Sequence, residues 1–306
     1  MKRLLSLLSF VVLFIGGNAQ DIKVSSGRIV SFKNFPSKYV DVRNVDVWLP
    51  DGYTTDKKYA VLYMHDGQML FDSSNNWVHQ EWRVDETMGR LLAAKKIKDC
   101  IVVGIWNTGA QRHTDYFPQK PFESLTQYQQ DTLYNAHRPN NASVFSGTIH
   151  SDNYLKFLVS ELKPFIDSAF SVKKDKGNTF IAGSSMGGLI SMYAICEYPN
   201  VFGGAACLST HWSGIFTNKN NPIPTAMLTY FLKHLPSPKT HKLYFDHGTA
   251  TLDTLYEPYQ TKADAIIRAG GYKDNNFMTR VFVGANHTEK SWASRLDIPI
   301  MFLLKK

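Results

Sequence analysis

Cysteine is scarce in this chain of 306 residues, which has three, at Cys100, Cys196 and Cys207. An odd and sparse set is not a disulfide framework, so the sequence excludes the class of small domains stabilised by several bridges. All three lie in apolar segments, and we expect them to be buried thiols. A bridge between Cys196 and Cys207 stays open as an alternative in an oxidising compartment.

Long hydrophobic runs are also absent beyond the first residues. The run 4–15 follows Lys2 and Arg3 and precedes small residues that end at Ala19. This pattern predicts a signal peptide over residues 1–19, with a membrane anchor as the alternative. No later stretch approaches the ~18 apolar residues that a membrane-spanning helix requires. We therefore expect an exported protein, periplasmic or extracellular, without stable membrane insertion after signal removal.

Runs of basic residues, internal repeats and low-complexity linkers are missing as well. The formal net charge is +8, but the lysines and arginines are dispersed along the chain. Dispersed charge favours solubility over nucleic-acid binding, so we expect no nucleic-acid partner. With 43% hydrophobic residues the chain can bury a substantial core. We predict one domain over residues 20–306.

Short apolar strands alternate with amphipathic helices over most of the chain. Segments such as "AVLYMHDG", "CIVVGIWN" and "TFIAG" have the nearly continuous hydrophobicity of strands buried on both faces. The alternation predicts an α/β fold with a mostly parallel central sheet and helices on both faces. The polar and aromatic interval 107–152 interrupts this pattern. We expect it to be an insertion that forms a lid or pocket wall, the alternative being a decorative insertion.

The segment "GSSMG", residues 183–187, follows a predicted strand and opens a predicted helix. It matches the nucleophile elbow, in which a serine stands at the tip of a sharp strand-to-helix turn. Ser185 occupies that position, and the alternative is an ordinary glycine-rich turn. The backbone amides of Met186 and of Gln68, in the loop after "AVLYMHDG", are the candidate oxyanion donors.

A serine nucleophile needs a base and an acid that orients the base. The expected chain order is serine, acid, histidine, which favours His287 in the loop after the last predicted strand. Asp253 is the preferred acid because it lies in a loop, while Asp246 and Glu257 remain alternatives. This chemistry requires no cofactor, and the sequence predicts no metal site.

Five further side chains near these loops are candidate substrate contacts. Arg112 can hold a carboxylate or a sugar hydroxyl, or else form a structural pair with Asp115. Trp212 can stack on a sugar or aromatic ring, or else pack in the core. The full set is Trp106, Arg112, Tyr116, His211 and Trp212.

The segments "YMHDGQMLFD", "IVVGIWNTGAQRHTDYFP", "IAGSSMGGLISMYA" and "GANHTEKSW" resemble the esterase D-like branch of the α/β-hydrolases. That group includes feruloyl and acetyl-xylan esterases, enterochelin-type esterases, S-formylglutathione hydrolases and mycolyltransferases. The resemblance covers nearly the whole chain after residue 19 and implies the α/β-hydrolase fold. It carries the nucleophile onto Ser185, the base onto His287, and the oxyanion amides onto Gln68 and Met186. The acid of the family often follows a Gly-Thr pair more closely than Asp253 follows Gly248-Thr249.

These observations predict a secreted serine esterase that acts through an acyl-enzyme, with an acylated oligosaccharide or polysaccharide of the feruloyl or acetyl-xylan type as substrate. A siderophore-lactone esterase and an acyltransferase are the alternative enzymes. An S-formylglutathione hydrolase fits the fold but conflicts with the predicted signal peptide. The alternative outside catalysis is a carbohydrate-binding protein on an inactive hydrolase scaffold.

Overall fold

The computed structural model describes residues 22–76 and 78–306; the predicted signal peptide lies outside these ranges. The described chain forms one sheet of eight strands. In chain order these are β1 Arg28–Phe35, β2 Arg43–Leu49, β3 Ala60–His65, β4 Cys100–Ile105, β5 Thr179–Ser184, β6 Gly204–Leu208, β7 Lys242–Gly248 and β8 Phe277–Phe282.

The strands lie in the order β1-β2-β4-β3-β5-β6-β7-β8. β1 pairs antiparallel with β2, and β2 pairs antiparallel with β4. The other six strands, in the sheet order β4-β3-β5-β6-β7-β8, are mutually parallel. All residues of β3, β4, β5 and β6 are buried, as near-continuous apolar strands in a covered sheet should be. The mostly parallel α/β architecture that the sequence predicts is therefore confirmed.

The helices of the described residues cover both faces of the sheet and leave the strand ends open. They are α1 Val84–Ala93, α2 Arg112–Tyr116, α3 Gln119–Glu123, α4 Gln127–Tyr134, α5 Ser151–Phe157, α6 Lys163–Ala169, α7 Met186–Glu197, α8 Ile223–His234, α9 Glu257–Ala269, α10 Glu289–Ala293 and α11 Asp297–Leu304. A π-helical turn at Leu158–Leu162 joins α5 to α6. Two clusters of buried apolar side chains form the core, one on each side of the sheet.

The interval 107–152 contains α2, α3 and α4 rather than one irregular loop. Its apolar side chains Leu133, Val144, Phe145 and Ile149 are buried in the larger core cluster. The interval is thus anchored to the sheet by packing, and its polar residues are left at the surface and beside the strand ends.

Cys100, Cys196 and Cys207 are free and buried, as the sequence predicts. The alternative of a bridge between Cys196 and Cys207 is therefore wrong. Burial raises the pKa of the Cys100 thiol to about 12, so this thiol is neutral at ordinary pH. None of the helices in the described part of the chain has the length and apolar character to cross a lipid bilayer.

Candidate active site

A cavity of about 430 Å³ opens beside the carboxyl ends of the parallel strands. Open α/β sheets bind their ligands at this edge, because the loops that leave the strands converge there. The cavity is lined by Asp66, Met69, Val78, Trp82, Asn107, Gly109, Arg112, His113, Arg138, Ser184, Ser185, His287, Glu289 and Trp292. Two of the three predicted catalytic side chains, Ser185 and His287, therefore face the same space.

Ser185 stands between β5 and α7 with a strained backbone, at φ 57° and ψ −121°. Such a conformation is rare for a residue with a side chain and is typical of a nucleophile elbow. The turn is tight because Gly183 and Gly187 are in contact: a Cβ added to Gly183 would lie 2.6 Å from the carbonyl carbon of Gly187. The Ser185 amide donates to the Leu208 carbonyl at 2.9 Å, which ties the elbow to β6.

His287 and Asp253 form a direct pair, with Nδ1 of the imidazole 2.5 Å from Oδ1 of the carboxylate. The His287 side chain is 14% exposed, whereas that of Asp253 is fully buried. The backbone amide of His287 also donates to the Thr251 hydroxyl at 2.8 Å, which fixes the loop that carries the ring. The imidazole is thus held by one nitrogen, and its Nε2 is left for another partner.

The second carboxylate oxygen of Asp253 has its own partners. Oδ2 accepts hydrogen bonds from the Ser209 hydroxyl at 2.6 Å and from the Gly248 amide at 2.5 Å. Burial raises the pKa of Asp253, but the hydrogen bond and charge of His287, with the Ser209 and Gly248 donors, outweigh burial and leave the pKa below its ordinary value. The carboxylate is therefore ionised at neutral pH and can stabilise an imidazolium.

Ser209 is in turn fixed by two donors from the C-terminal segment, one in α10 and one in the turn that follows it. Its hydroxyl oxygen accepts from Trp292 Nε1 at 2.9 Å and from Arg295 Nη2 at 3.0 Å. Arg295 also binds Asp246 at 2.8 Å, and both side chains are buried. This network supports Asp253 from the side opposite His287.

Asp246 and Glu257, the alternative acids, lie in different surroundings. Asp246 is buried in β7, and its carboxylate is paired with Arg295. Glu257 is exposed at the first turn of α9. Of the three candidate acids, the structure brings Asp253 alone to His287.

Tyr256 and His211 flank the elbow on another side. The Tyr256 hydroxyl is 2.7 Å from His211 Nδ1 and also interacts with the Ser185 side chain. The His211 amide donates to the Ser185 carbonyl at 3.2 Å. Among the hydrogen bonds of the described residues, none joins the Ser185 hydroxyl directly to His287. In this state the serine side chain is directed towards Tyr256.

The two predicted oxyanion donors lie at the starts of short helical turns. Met186 is the first residue of α7, and Gln68 follows the first residue of a 3₁₀ turn at Gly67–Met69. Amides in the first turn of a helix have no partner within the helix, so both N–H groups can serve a ligand. Gly67 allows the loop to pack against β4, since a Cβ there would lie 2.7 Å from the Gly104 carbonyl carbon.

Arg112 lines the cavity, as a substrate contact should, but its structural partner is not Asp115. Its guanidinium binds Asp66 with two hydrogen bonds of 2.7 Å. Asp115 is instead paired with Arg43 at 3.1 Å and with His150 at 2.8 Å. The predicted alternative pairing is therefore wrong: Asp66, which follows β3 directly, takes the place assigned to Asp115.

The other four candidate substrate contacts do not line the cavity. Tyr116 and Trp212 are fully buried in the core, and His211 is 1% exposed. Trp212 stacks on Phe245 with ring centroids 6.0 Å apart, which matches the packing alternative. The half-buried Trp106 donates its indole N–H to Asp46 at 2.5 Å. These side chains shape the walls behind the site rather than its surface.

Several residues of the site carry no signal that sequence patterns reveal. Arg138 belongs to a polar stretch, and Ser209 and Tyr256 have no motif around them. Each reaches the site through contacts between distant parts of the chain. Trp292, within the quoted segment "GANHTEKSW", is the one whose position close to His287 could have suggested it.

In residues 22–76 and 78–306, no cluster of three or more His, Cys, Asp or Glu side chains has a geometry that could hold a metal ion.

The model of one protein family, described as "Esterase: Putative esterase", matches residues 40–297. This range includes every strand from β2 to β8 and all the residues of the site. The chain belongs to this esterase family. Membership in this family supports esterase activity, with esters as the substrates.

Curated relatives are more distant and match in part. The protein YbbA of Bacillus subtilis, itself uncharacterized, is 24% identical over 56% of this chain and 58% of its own length. An endo-1,4-beta-xylanase/feruloyl esterase of Xylanibacter ruminicola is 28% identical over 86% of this chain and 30% of its own length. The chain thus spans little more than half of the first relative and under a third of the second.

Several solved structures of esterases share the fold of this chain. A ferulic acid esterase has a TM-score of 0.61 and 19% identity, over 90% of this chain and 98% of that one. The enterochelin esterase of Shigella flexneri has a TM-score of 0.60 and 14% identity, over 90% of this chain and 57% of that one. At these identities the likeness establishes the α/β-hydrolase fold and leaves the substrate to the site itself.

Proposed function

We propose that the esterase hydrolyses carboxylic esters through an acyl-enzyme formed on Ser185, with His287 as the base and Asp253 as the acid that orients it. The observation that carries the proposal is the pair of His287 Nδ1 and Asp253 Oδ1, 2.5 Å apart beside the strained elbow of Ser185. A buried ionised carboxylate on Nδ1 favours the imidazole tautomer whose Nε2 accepts a proton.

Acylation begins when Ser185 turns from Tyr256 towards His287. Oγ then attacks the ester carbonyl carbon while Nε2 of His287 takes the hydroxyl proton. The carbonyl oxygen becomes an oxyanion, and the amides of Met186 and Gln68 donate to it. The oxyanion collapses, the bond to the alcohol oxygen breaks, and His287 gives its proton to the departing alcohol.

Deacylation repeats these steps with water as the nucleophile. His287 takes a proton from water, the hydroxide oxygen attacks the acyl carbon, and Ser185 leaves with the proton that His287 returns. The products are a carboxylic acid and an alcohol. Each step uses a side chain or amide of this chain.

We assign acylated carbohydrate of the feruloyl or acetyl-xylan type as the substrate class. The family, the fold shared with ferulic acid esterases, and the feruloyl esterase named among the relatives support this assignment. The cavity has both aromatic walls, at Trp82 and Trp292, and polar groups, at Asn107 and Arg112. Such a lining suits an aromatic acyl group joined to a sugar.

The test is a panel of aryl acetates, methyl ferulate, acetylated xylan and ferric enterobactin, offered to the wild type and to Ser185→Ala. We expect turnover of aryl acetates and of at least one acylated glycan, lost in the variant. Preferred turnover of ferric enterobactin would move the assignment to a siderophore esterase. Inertness towards all esters together with glycan binding would instead favour a binding protein.

Export also belongs to the proposal, on the strength of the signal-peptide pattern of residues 1–19. Mature protein from the producing cell should begin near Gln20 and lie outside the cytoplasm. Intact Met1 on cytoplasmic protein would contradict export and favour an S-formylglutathione hydrolase.

A further inference from the structure

Arg138 is a cation in the cavity wall to which the proposed mechanism assigns no role. Its side chain lines the same space as Ser185 and His287 and is half-buried. The guanidinium lies 5.4 Å from the ring centroid of Phe216. Among the ion pairs and side-chain hydrogen bonds of the described residues, none involves this guanidinium.

The neighbours of Arg138 do not compensate for its burial. Loss of solvation lowers the pKa of Arg138, and the nearby positive charge of Arg112 lowers it further. Arg112 is itself satisfied by its two bonds to Asp66. Glu289, a second acid that lines the cavity, interacts with the charges of Asp66, His287 and Arg112. Arg138 therefore faces a part of the cavity where no carboxylate of the described chain neutralises it.

The backbone holds Arg138 in place. Its amide donates to the Ala142 carbonyl at 2.7 Å, and the Val144 amide donates to the Ala136 carbonyl at 3.0 Å. These bonds close a hairpin whose base continues into Phe145, a buried core residue that packs on Phe117 with ring centroids 5.2 Å apart. The backbone of Arg138 is therefore fixed at the cavity, and the Phe216 ring contacts its guanidinium.

A half-buried cation beside a like charge is stabilised when a ligand brings a negative charge to it. We propose that Arg138 forms a subsite for an anionic group of the substrate, so that the enzyme prefers esters with a carboxylate near the scissile bond. The inference rests on the proposed function and makes it more specific: the acyl group or the alcohol carries an acid function, as a dicarboxylic half-ester or a uronic acid does. Guanidinium binds carboxylate with two parallel hydrogen bonds.

The test compares two pairs of esters that differ in charge. 4-Nitrophenyl hydrogen succinate and 4-nitrophenyl butyrate vary the acyl side, while 4-carboxyphenyl acetate and phenyl acetate vary the alcohol side. The ratio of kcat/KM between variant and wild type is taken for each ester, so that intrinsic reactivity cancels. For Arg138→Gln we expect a loss of roughly ten- to a hundredfold on the anionic member of one pair, since hydrogen bonds to charged groups contribute this much. The neutral members should change less than about threefold.

Two further variants act as controls. Arg138→Lys keeps the charge and should retain part of the preference for the anionic ester. Arg28→Gln removes an exposed arginine of β1 and should change none of the ratios. Equal losses on anionic and neutral esters in Arg138→Gln would overturn the subsite, while the proposed esterase would stand.

A binding measurement keeps the inference testable if the wild type hydrolyses no ester. Titration calorimetry with benzoate, on wild type and Arg138→Gln, reports the anion site without catalysis. We expect benzoate to bind the wild type at least about tenfold more tightly than the variant. Equal affinity, or no binding to either protein, would overturn the proposal.

Discussion

The two carboxylate oxygen atoms of Asp253 have different hydrogen-bond partners. Oδ1 is paired with His287, while Oδ2 is held by Ser209 and the Gly248 amide. A carboxylate fixed at both oxygens cannot rotate away from the imidazole. The side chain is therefore suited to hold one tautomer of His287 throughout the reaction.

Asp253→Asn should lose about four orders of magnitude in kcat, because an amide on Nδ1 favours the wrong imidazole tautomer. Steady-state kinetics on an aryl acetate measure this loss. Glu257→Gln is the matched control, as Glu257 is an exposed acid a few residues further on, and it should stay within about tenfold of wild type, or ~1.4 kcal/mol in barrier. A fully active Asp253→Asn enzyme would contradict the assignment.

At the residue scale, motifs predicted what lies close in sequence and missed what folding brings together. Ser185 and Met186 belong to one motif, and their positions in the elbow follow from it. The partner of Arg112 is Asp66 in a distant loop, so local sequence pointed to Asp115 instead. Trp212 has a motif-like position after β6, yet burial against Phe245 decides its role. The local spacing of residues does not predict long-range packing of this kind.

The elbow is the element on which the site depends. A Cβ on Gly183 would lie 2.6 Å from the Gly187 carbonyl carbon and 2.7 Å from its oxygen, both in the backbone of α7. Backbone atoms cannot give way as a flexible side chain can. Helix α7 and strand β5 would have to separate, and Ser185 would shift with them.

Gly183→Ala should therefore lower the free energy of unfolding by about 1–3 kcal/mol, in the range of overpacked cores. Denaturant unfolding measures this change. Gly177→Ala is the control, because an added Cβ there meets the Asp175 carboxylate oxygen at 3.1 Å, at the free end of a side chain. We expect its stability to stay within about 0.5 kcal/mol of wild type. An equally stable Gly183→Ala protein would show that the elbow is looser than described.

At the scale of elements, hydrophobic runs predicted the buried strands well. The three segments named for their continuous hydrophobicity agree with β3, β4 and β5, because every residue of these strands is buried. β1 was not predicted, since it is an edge strand whose residues are exposed or half-buried.

The whole molecule carries buried histidines that must stay neutral when it is folded. Burial lowers the pKa of His65 and of His113 to about 3 in each case. In the unfolded chain histidine takes up a proton below about pH 6.5. Between about pH 3 and about pH 6.5 the unfolded state binds more protons than the folded state, so the free energy of unfolding falls as the pH falls.

When the pH is lowered from 7 to 5, each of these two histidines should lower the free energy of unfolding by about 2 kcal/mol. His113→Gln removes one of them while keeping a donor for the Gly214 carbonyl, which His113 Nε2 meets at 2.8 Å. Its loss of stability between pH 7 and pH 5, from urea unfolding at each pH, should be smaller than that of wild type by about this amount. His137→Gln, at an exposed position, should leave the loss unchanged. Identical pH dependence in all three proteins would refute the account.

The central claim is that Ser185 is the nucleophile, held at the tip of the elbow beside the pair of His287 and Asp253. The most direct measurement treats the protein with an aryl phosphonate and maps the modified residue by peptide mass spectrometry. We predict one phosphonyl group on Ser185, loss of ester hydrolysis in proportion to labelling, and no label in Ser185→Ala. Labelling of Ser184, or hydrolysis that survives in Ser185→Ala, would contradict the claim.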